Sequence, residues 1–428
     1  MTSTQPGPAE GATVFGWVPR LGTAACLCIA LVFSIYLFTP VWWPEIGTDA
    51  KDLYAAGVLS ASGGNPYQIA QQAAEEDRLY NPPGVTHRYN QSAYGYPPVV
   101  TAALRLGARV SEPAYYLISL LFLLGVGLAG FEASLALLHW RSRWLARVFF
   151  LASAPMALDL FVGNPSALLL LFCGAGAWLV TRGRPLLGGL LLSGMALKPQ
   201  IGLPVAVAVI ATAPLATAAP AEMRLRMGMI AAAGLGAGTA ALALLGELLL
   251  GPGSLASWFM AARDFGKALG PGASASPFTQ VGLAGLPALL MNRFSAPVAA
   301  ILTAVVVVPA VAIVIWRHRE ALARPSLGPM AVGIALVLAL SPYLHLNDLV
   351  LAAVPLLFVA ELPLDATRRI TLVTWAVGPY LALVVLTIVT PLLGISGLQQ
   401  VGFGVVLTSL LLVSAVAGLQ PTSGRPPL

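Results

Sequence analysis

Long apolar runs alternate with short polar breaks almost from one end of the chain to the other. Runs of roughly 20 apolar residues are long enough, as helices, to cross a ~30 Å hydrocarbon core. Helices also satisfy their own backbone hydrogen bonds, as a bilayer demands. The pattern marks spans at 20–43, 112–139, 146–162, 165–181, 186–198, 200–219, 227–250, 296–316, 327–341, 347–362, 370–392 and 400–419. It predicts an all-α polytopic membrane protein with about 12 (10–13) crossing helices. The shorter runs read as half-helices or parts of one bent helix. Residues 20–419 form one integral-membrane domain, with a disordered tail at 1–19 and a second tail at 420–428. The first apolar run has no basic n-region before it and no A-x-A-like site after it, so it reads as a retained helix.

Two stretches break the rhythm. Residues 44–111 form a long polar loop, and 252–295 form a second loop with apolar pieces such as Val281 to Met291 that suit an interface. Within the first loop, Asp49-Ala-Lys-Asp-Leu-Tyr54 opens a helical pattern that stops at Gly63-Gly64, with Pro66 preventing continuation. Leu53, Ala56, Val58 and Leu59 give that segment an amphipathic character suited to lying along the membrane surface.

Composition agrees: 58% of residues are hydrophobic and 9% charged, too few charges to cover a soluble protein of this length. The net charge of +6 is spread singly along loops, which excludes a nucleic-acid partner and reads as a topology signal. With both termini cytoplasmic, the inner loops hold Arg141, Arg143 and Arg147; Arg182 and Arg184; Arg224 and Arg226; Arg317, Arg319 and Arg324; and Arg368 and Arg369. The outer side then receives the 44–111 loop, Gly163-Asn164-Pro165, Lys198-Pro199-Gln200, the 252–295 loop and Ser341–Asp348. Nearly every polar cluster lies on one face, so the work is expected there. Lysine is scarce beside arginine, which suits a GC-rich bacterial genome and a bacterial plasma-membrane location. Cys26, Cys28 and Cys173 all sit in apolar spans and make neither a disulfide framework nor a metal site.

Several polar residues stand out, each with a plainer reading beside the chemical one. Asp49 and Asp52 are three apart, hence on one helix face near Tyr54; carboxylates also favour a helix N-terminus for its dipole alone. Lys198, between two apolar stretches, is either a cation for a lipid phosphate or a lysine snorkelling to the interface. Pro199 breaks the helix there and frees backbone groups to line a cavity. His345 and Asp348 follow a Ser-Pro break; the histidine is a phosphate or sugar donor, or a satisfied interfacial residue. Tyr80, Tyr89, Tyr94 and Tyr96 stack on a sugar or anchor the loop at the headgroups. Glu132, Asp159 and Glu247 are membrane carboxylates without an assigned role. There is no Asp-x-Asp pair, P-loop, GxGxxG or HExxH.

Together these residues resemble the GT-C class of membrane glycosyltransferases, and glycosyltransferase family 87 in particular, the polyprenyl-phosphate-mannose-dependent α-1,2-mannosyltransferases. Asp49, Tyr54, Ala56 and Gly64-Asn65-Pro66-Tyr67 stand at the family's separations. Tyr96-Pro97-Pro98 is similar to its next signature, Leu197-Lys198-Pro199-Gln200 to its Lys-Pro-Gln turn, and Ser341-Pro342 through Asp348 to its late Ser-Pro…Asp segment. At Gly163-Asn164 the family more often has Gly-Gln. The likeness covers about residues 45–360.

The resemblance implies a GT-C-like bundle with interfacial helices in the first outer loop. It implies inverting, metal-independent transfer of a hexose, most simply mannose, from a polyprenyl-phosphate donor to a lipid or glycan acceptor. Asp49 would be the catalytic base, and Lys198 with His345 would bind the donor phosphate. Asp52, Tyr54, Tyr67, Tyr96, Asn164, Gln200 and Asp348 would contact substrate. No cofactor is expected, and the partners are membrane lipids, the lipid-linked donor and the acceptor. The outward polar face points the same way by itself, because nucleotide sugars are cytoplasmic and an outward site needs a donor presented by the membrane. Two alternatives remain: another lipid-linked-sugar enzyme, such as an arabinosyltransferase or ligase, and a transporter or flippase. Transporters commonly carry internal repeats and midplane charges; no convincing repeat relates the two halves here.

Overall fold

The computed structural model describes residues 46–83, 94–138, 143–268, 327–340 and 346–361, with single helical positions at 24, 28, 31, 32, 35, 301, 305 and 309. The expected spans at 370–392 and 400–419, the tails, and His345 lie outside the described residues.

Every regular element among the described residues is helical. The first loop supplies α1 (Thr48–Ala61), α2 (Ile69–Tyr80) and α3 (Pro98–Gly107). Next come α4 (Glu112–Leu138), α5 (Arg143–Leu151), α6 (Ala154–Val162), α7 (Ser166–Thr181) and α8 (Pro185–Leu192), the last running into a 3-10 turn, Ser193–Leu197. Then follow α9 (Pro199–Thr212), α10 (Ala221–Leu250), α11 (Ser254–Ala268) and α12 (Gly328–Leu340). A 3-10 turn, Leu346–Ala352, leads into α13 (Ala353–Glu361). Three described stretches, Glu112–Leu137, Pro199–Ala216 and Ala221–Leu250, are long and apolar enough to cross a membrane.

The structure redraws some expected boundaries. The apolar run 146–162 is two helices, because the chain turns at Ala152-Ser153 and Pro155 sits in the first turn of α6. The run 186–198 ends as a 3-10 turn rather than continuing as one helix. Arg224 and Arg226 are not in a loop: α10 begins earlier, at Ala221 just after Pro220, and carries both arginines in its first turns. Hydropathy stops at a charge, whereas a helix does not.

Glycines set the helix spacing, as close approach in a membrane bundle requires. A Cβ on Gly130 of α4 would lie 2.4 Å from the Leu171 backbone of α7, and one on Gly189 of α8 would lie 2.0 Å from the Ala231 carbonyl of α10. The core between these helices holds Phe131, Leu135, Phe150, Phe161 and Leu170, all but sealed from solvent. Phe131 and Phe150 stack at 4.3 Å between centroids. Outward, the order inverts: Leu121 and Phe122 on α4 and Leu244 and Leu248 on α10 are exposed, as expected of surfaces solvated by lipid.

The helix α1 is packed into protein over most of its length. Ala50, Asp52–Gly57 and Ser60 are buried, and the helix packs against α2 and α3. Gly57 makes the closest approach, since a Cβ there would meet the Leu104 carbonyl at 2.5 Å. The start of α1 is tied to the end of α6, where the Gly47 N–H donates to the Phe161 carbonyl at 2.8 Å.

Candidate active site

The turn between α6 and α7 is the centre of the site. The α6 helix stops because Gly163 adopts φ +74 and its N–H, with that of Asn164, returns to the Asp159 carbonyl at 2.9 and 3.0 Å. Pro165 follows and starts a new direction. The Asp159 carboxylate reinforces the turn through Oδ2, which accepts from the Ala167 N–H at 2.9 Å at the N-terminus of α7. Its Oδ1 is buried with no hydrogen-bond partner among the described residues. Thus Asp159, one of the carboxylates without a role, builds the loop that presents Asn164.

Four distant segments meet at that loop. The Asn164 Nδ2 donates to Asp49 Oδ2 at 2.5 Å, across 115 residues of sequence. Ala50, beside Asp49, is so close to Gly163 that a Cβ there would lie 2.5 Å from the alanine methyl. Lys198 Nζ pairs with Asp348 Oδ1 at 2.6 Å, and both side chains are buried. The same ammonium lies 3.3 Å from Asn164 Oδ1 and 3.3 Å from Ser166 Oγ. The Ser166 N–H donates to Asn164 Oδ1 at 3.1 Å. The Ser166 hydroxyl stands 2.6 Å from both Asn164 Oδ1 and Asp348 Oδ1, and its single proton serves one of them. Tyr96 Oη completes the group at 3.4 Å from Asn164 Nδ2. Burial, and then the negative charge of Asp49, hold the Tyr96 phenol well above its usual range, so it stays protonated and able to donate.

This arrangement fixes the asparagine amide. Its oxygen faces an ammonium and a backbone N–H, both donors, so its NH2 must face the carboxylate of Asp49. An amide donor directs a carboxylate by a hydrogen bond to one of its oxygens.

The structure brings Asp49, Tyr96, Asn164, Lys198 and Asp348 together and keeps other sequence candidates apart. Asp52 and Asp49 diverge: the Asp52 carboxylate accepts from Gln72 Nε2 at 2.9 Å, and the same amide nitrogen donates to Glu76 at 2.8 Å. Asp52 therefore ties α1 to α2. Tyr54 donates to the Val110 carbonyl at 2.9 Å and packs on Tyr115. Tyr67 bonds Thr101 Oγ1 at 2.8 Å, and Thr101 also bonds Tyr94; burial pushes the Tyr67 phenol up. Gln200, in the first turn of α9, is exposed and makes no bond to the cluster. Glu132 accepts from the Nε and Nη2 of Arg147 through its two carboxylate oxygens, and Glu247 caps α11 through Ser254 and Leu255. Ser166 was not singled out from sequence. A serine at a helix start reads as ordinary capping, and only the fold shows it between Lys198 and Asn164.

No group of three His, Cys, Asp or Glu among the described residues is arranged to hold a metal ion. The chemistry on offer is a directed carboxylate beside a neutral hydrogen-bonded ion pair. The family model for glycosyltransferase family 87 matches residues 94–342, more than half of the chain. The chain belongs to glycosyltransferase family 87. The matched span contains Tyr96, Asn164, Ser166 and Lys198, while Asp348 lies shortly after it and Asp49 well before it, and both join the site through the fold. No curated protein and no solved structure matches the chain. The transferase is thus a helical membrane protein whose family activity is sugar transfer.

Proposed function

We propose that the transferase moves a hexose, most simply mannose, from a polyprenyl-phosphate donor to a lipid or glycan acceptor at the extracytoplasmic face, with inversion. The observation that carries this reading is the meeting of Asp49, Asn164, Lys198 and Asp348 at one end of the bundle. Ser166 begins α7 at that end and Arg182 follows its last residue, about 24 Å away at 1.5 Å per residue. Arg184 then precedes α8, and the chain returns to the site at Lys198. Arginines gather on the cytoplasmic side of membrane proteins, which supports an outside position for the acid–lysine end. Nucleotide sugars are absent there, so the donor must arrive in the membrane.

In the proposed reaction the acceptor hydroxyl oxygen attacks the anomeric carbon as Asp49 takes its proton. The bond from that carbon to the phosphate oxygen breaks, and the electron pair leaves with the polyprenyl phosphate. General-base assistance of this kind is worth roughly 10²–10⁴ in rate. The phosphate contact is proposed for His345, because the Lys198 charge is balanced by Asp348 and the lysine's own N–H groups are already directed at Asp348, Ser166 and Asn164.

The test incubates membranes carrying the protein with radiolabelled polyprenyl-phosphate mannose, and in parallel with other polyprenyl-phosphate sugars, and follows label into lipid and glycan fractions. Label transfer that falls at least about 100-fold in Asp49→Asn, with equal protein in the membrane, is the expected result. Native-like transfer by Asp49→Asn would remove the base assignment. Movement of an unmodified lipid-linked sugar without transfer would favour a flippase instead.

A further inference from the structure

The lysine in this site is fully occupied without a substrate. Its ammonium has three N–H bonds, and three oxygens stand around it: Asp348 Oδ1 at 2.6 Å, and Asn164 Oδ1 and Ser166 Oγ at 3.3 Å. Of these, Asn164 reaches onward to Asp49, at 2.5 Å. We propose that Lys198 and Asp348 are positioning residues that act on Asp49 through Asn164. They clamp the amide oxygen, so that the amide NH2 holds Asp49 Oδ2 and leaves Oδ1 for the acceptor hydroxyl. This rests on Asp49 being the base.

Three physical consequences make the clamp useful. An asparagine amide free to rotate would present its oxygen to the carboxylate in one of two orientations, and that contact is repulsive. Donation to the amide oxygen polarises the amide and strengthens its N–H bond to Asp49. A lone ammonium beside Asp49 would also lower its basicity, whereas Asp348 balances that charge within the pair. The buried ion pair therefore orients the base without quenching it. The ionisable groups that share this region with Asp49 are Asp52 on the same helix, Tyr94 and Tyr96 before α3, Asp159 on α6, Lys198 before α9 and Asp348 in the late 3-10 turn.

The experiment uses the full-length protein in lipid nanodiscs with polyprenyl-phosphate mannose as probe, after transfer by the native protein is measured. Asn164→Ala should lower kcat by about 10- to 100-fold with donor KM within about threefold, the range of one hydrogen bond to a charged group. Asn164→Gln keeps an amide and should recover most of that loss. The neutral double replacement Lys198→Met with Asp348→Asn should lower kcat similarly in the native background and by less than about twofold when Asn164 is already Ala. Multiplying losses would overturn the proposal, because the pair would then act by another route. Asn164→Asp puts a second carboxylate against Asp49, and should move the acidic limb of the kcat/KM profile to higher pH by at least about one unit. An unmoved limb would also overturn it, since a role confined to folding leaves that limb in place. If Asn164→Ala lowers yield, Asn164→Ser serves in its place. Native-like turnover by Asp49→Asn would remove the base reading itself. Loss of turnover in Asp49→Asn beside native-like Asn164 variants would remove the positioning role alone.

Discussion

Lys198 sits where water is excluded, and its counter-charge arrives from 150 residues further along the chain. Breaking such a pair from one side leaves an uncompensated buried charge, worth about 3–5 kcal/mol, whereas removing both partners is often close to neutral. Lys198→Met alone should therefore lower the melting temperature more than Lys198→Met with Asp348→Asn, measured by thermal unfolding in detergent. A second residue-scale expectation concerns the tyrosines. Burial raises the Tyr67, Tyr94 and Tyr96 phenols above their unfolded value of about 10. Between about pH 10 and the folded values, the folded protein holds more protons than the unfolded chain, so stability present below pH 10 is lost as pH rises. Melting curves from pH 9 to 11 should show that fall, and Tyr94→Phe should flatten it. Asp49 and Lys198 were legible from sequence because charges between apolar runs are conspicuous. The partner of Asp52 was not, since helix spacing assigns a face and says nothing of Gln72 twenty residues on. Tyr54 was lost in the same way to a carbonyl 56 residues away.

Among the elements, the α6–α7 turn does more than connect. Gly163 has positive φ and faces Ala50 at a distance that admits no methyl. Gly163→Ala should push α1 from the turn, separate Asp49 from Asn164, and reduce transfer at least about 10-fold while the protein remains in the membrane. A near-native rate with a native melting temperature would show that α1 tolerates the displacement. Sequence marked this turn through Gly-Asn-Pro, and marked the end of α1 through Gly63-Gly64 and Pro66. It missed the break before α6 and the early start of α10, because hydropathy alone neither senses a bend inside an apolar run nor extends a helix through arginines. The burial of α1 was equally hidden: its small residues suit a membrane surface and a tight crossing with α3 alike.

For the whole molecule, the arginine-rich end and the carboxylate-rich end follow from alternating short helices, and the sidedness can be measured. In a background with the three native cysteines replaced, Ser62→Cys and Gly183→Cys occupy exposed positions at the two ends. A membrane-impermeant thiol reagent applied to intact cells should modify the first and spare the second until the membrane is opened. The reverse pattern would invert the proposed orientation. The helical class was legible because the bilayer imposes a repeating length on the sequence. The convergence of residues 49, 164, 198 and 348 was expected only through the family resemblance, because nothing local encodes which turns become neighbours.

That convergence constrains how the protein is made. At roughly 5–20 residues per second, the ribosome takes about 8–30 s to travel from codon 198 to codon 348. Throughout that interval the nascent lysine is without its Asp348 partner. The site thus stays incomplete until the late 3-10 turn is made, and a ribosome stalled before that turn would leave an inert product.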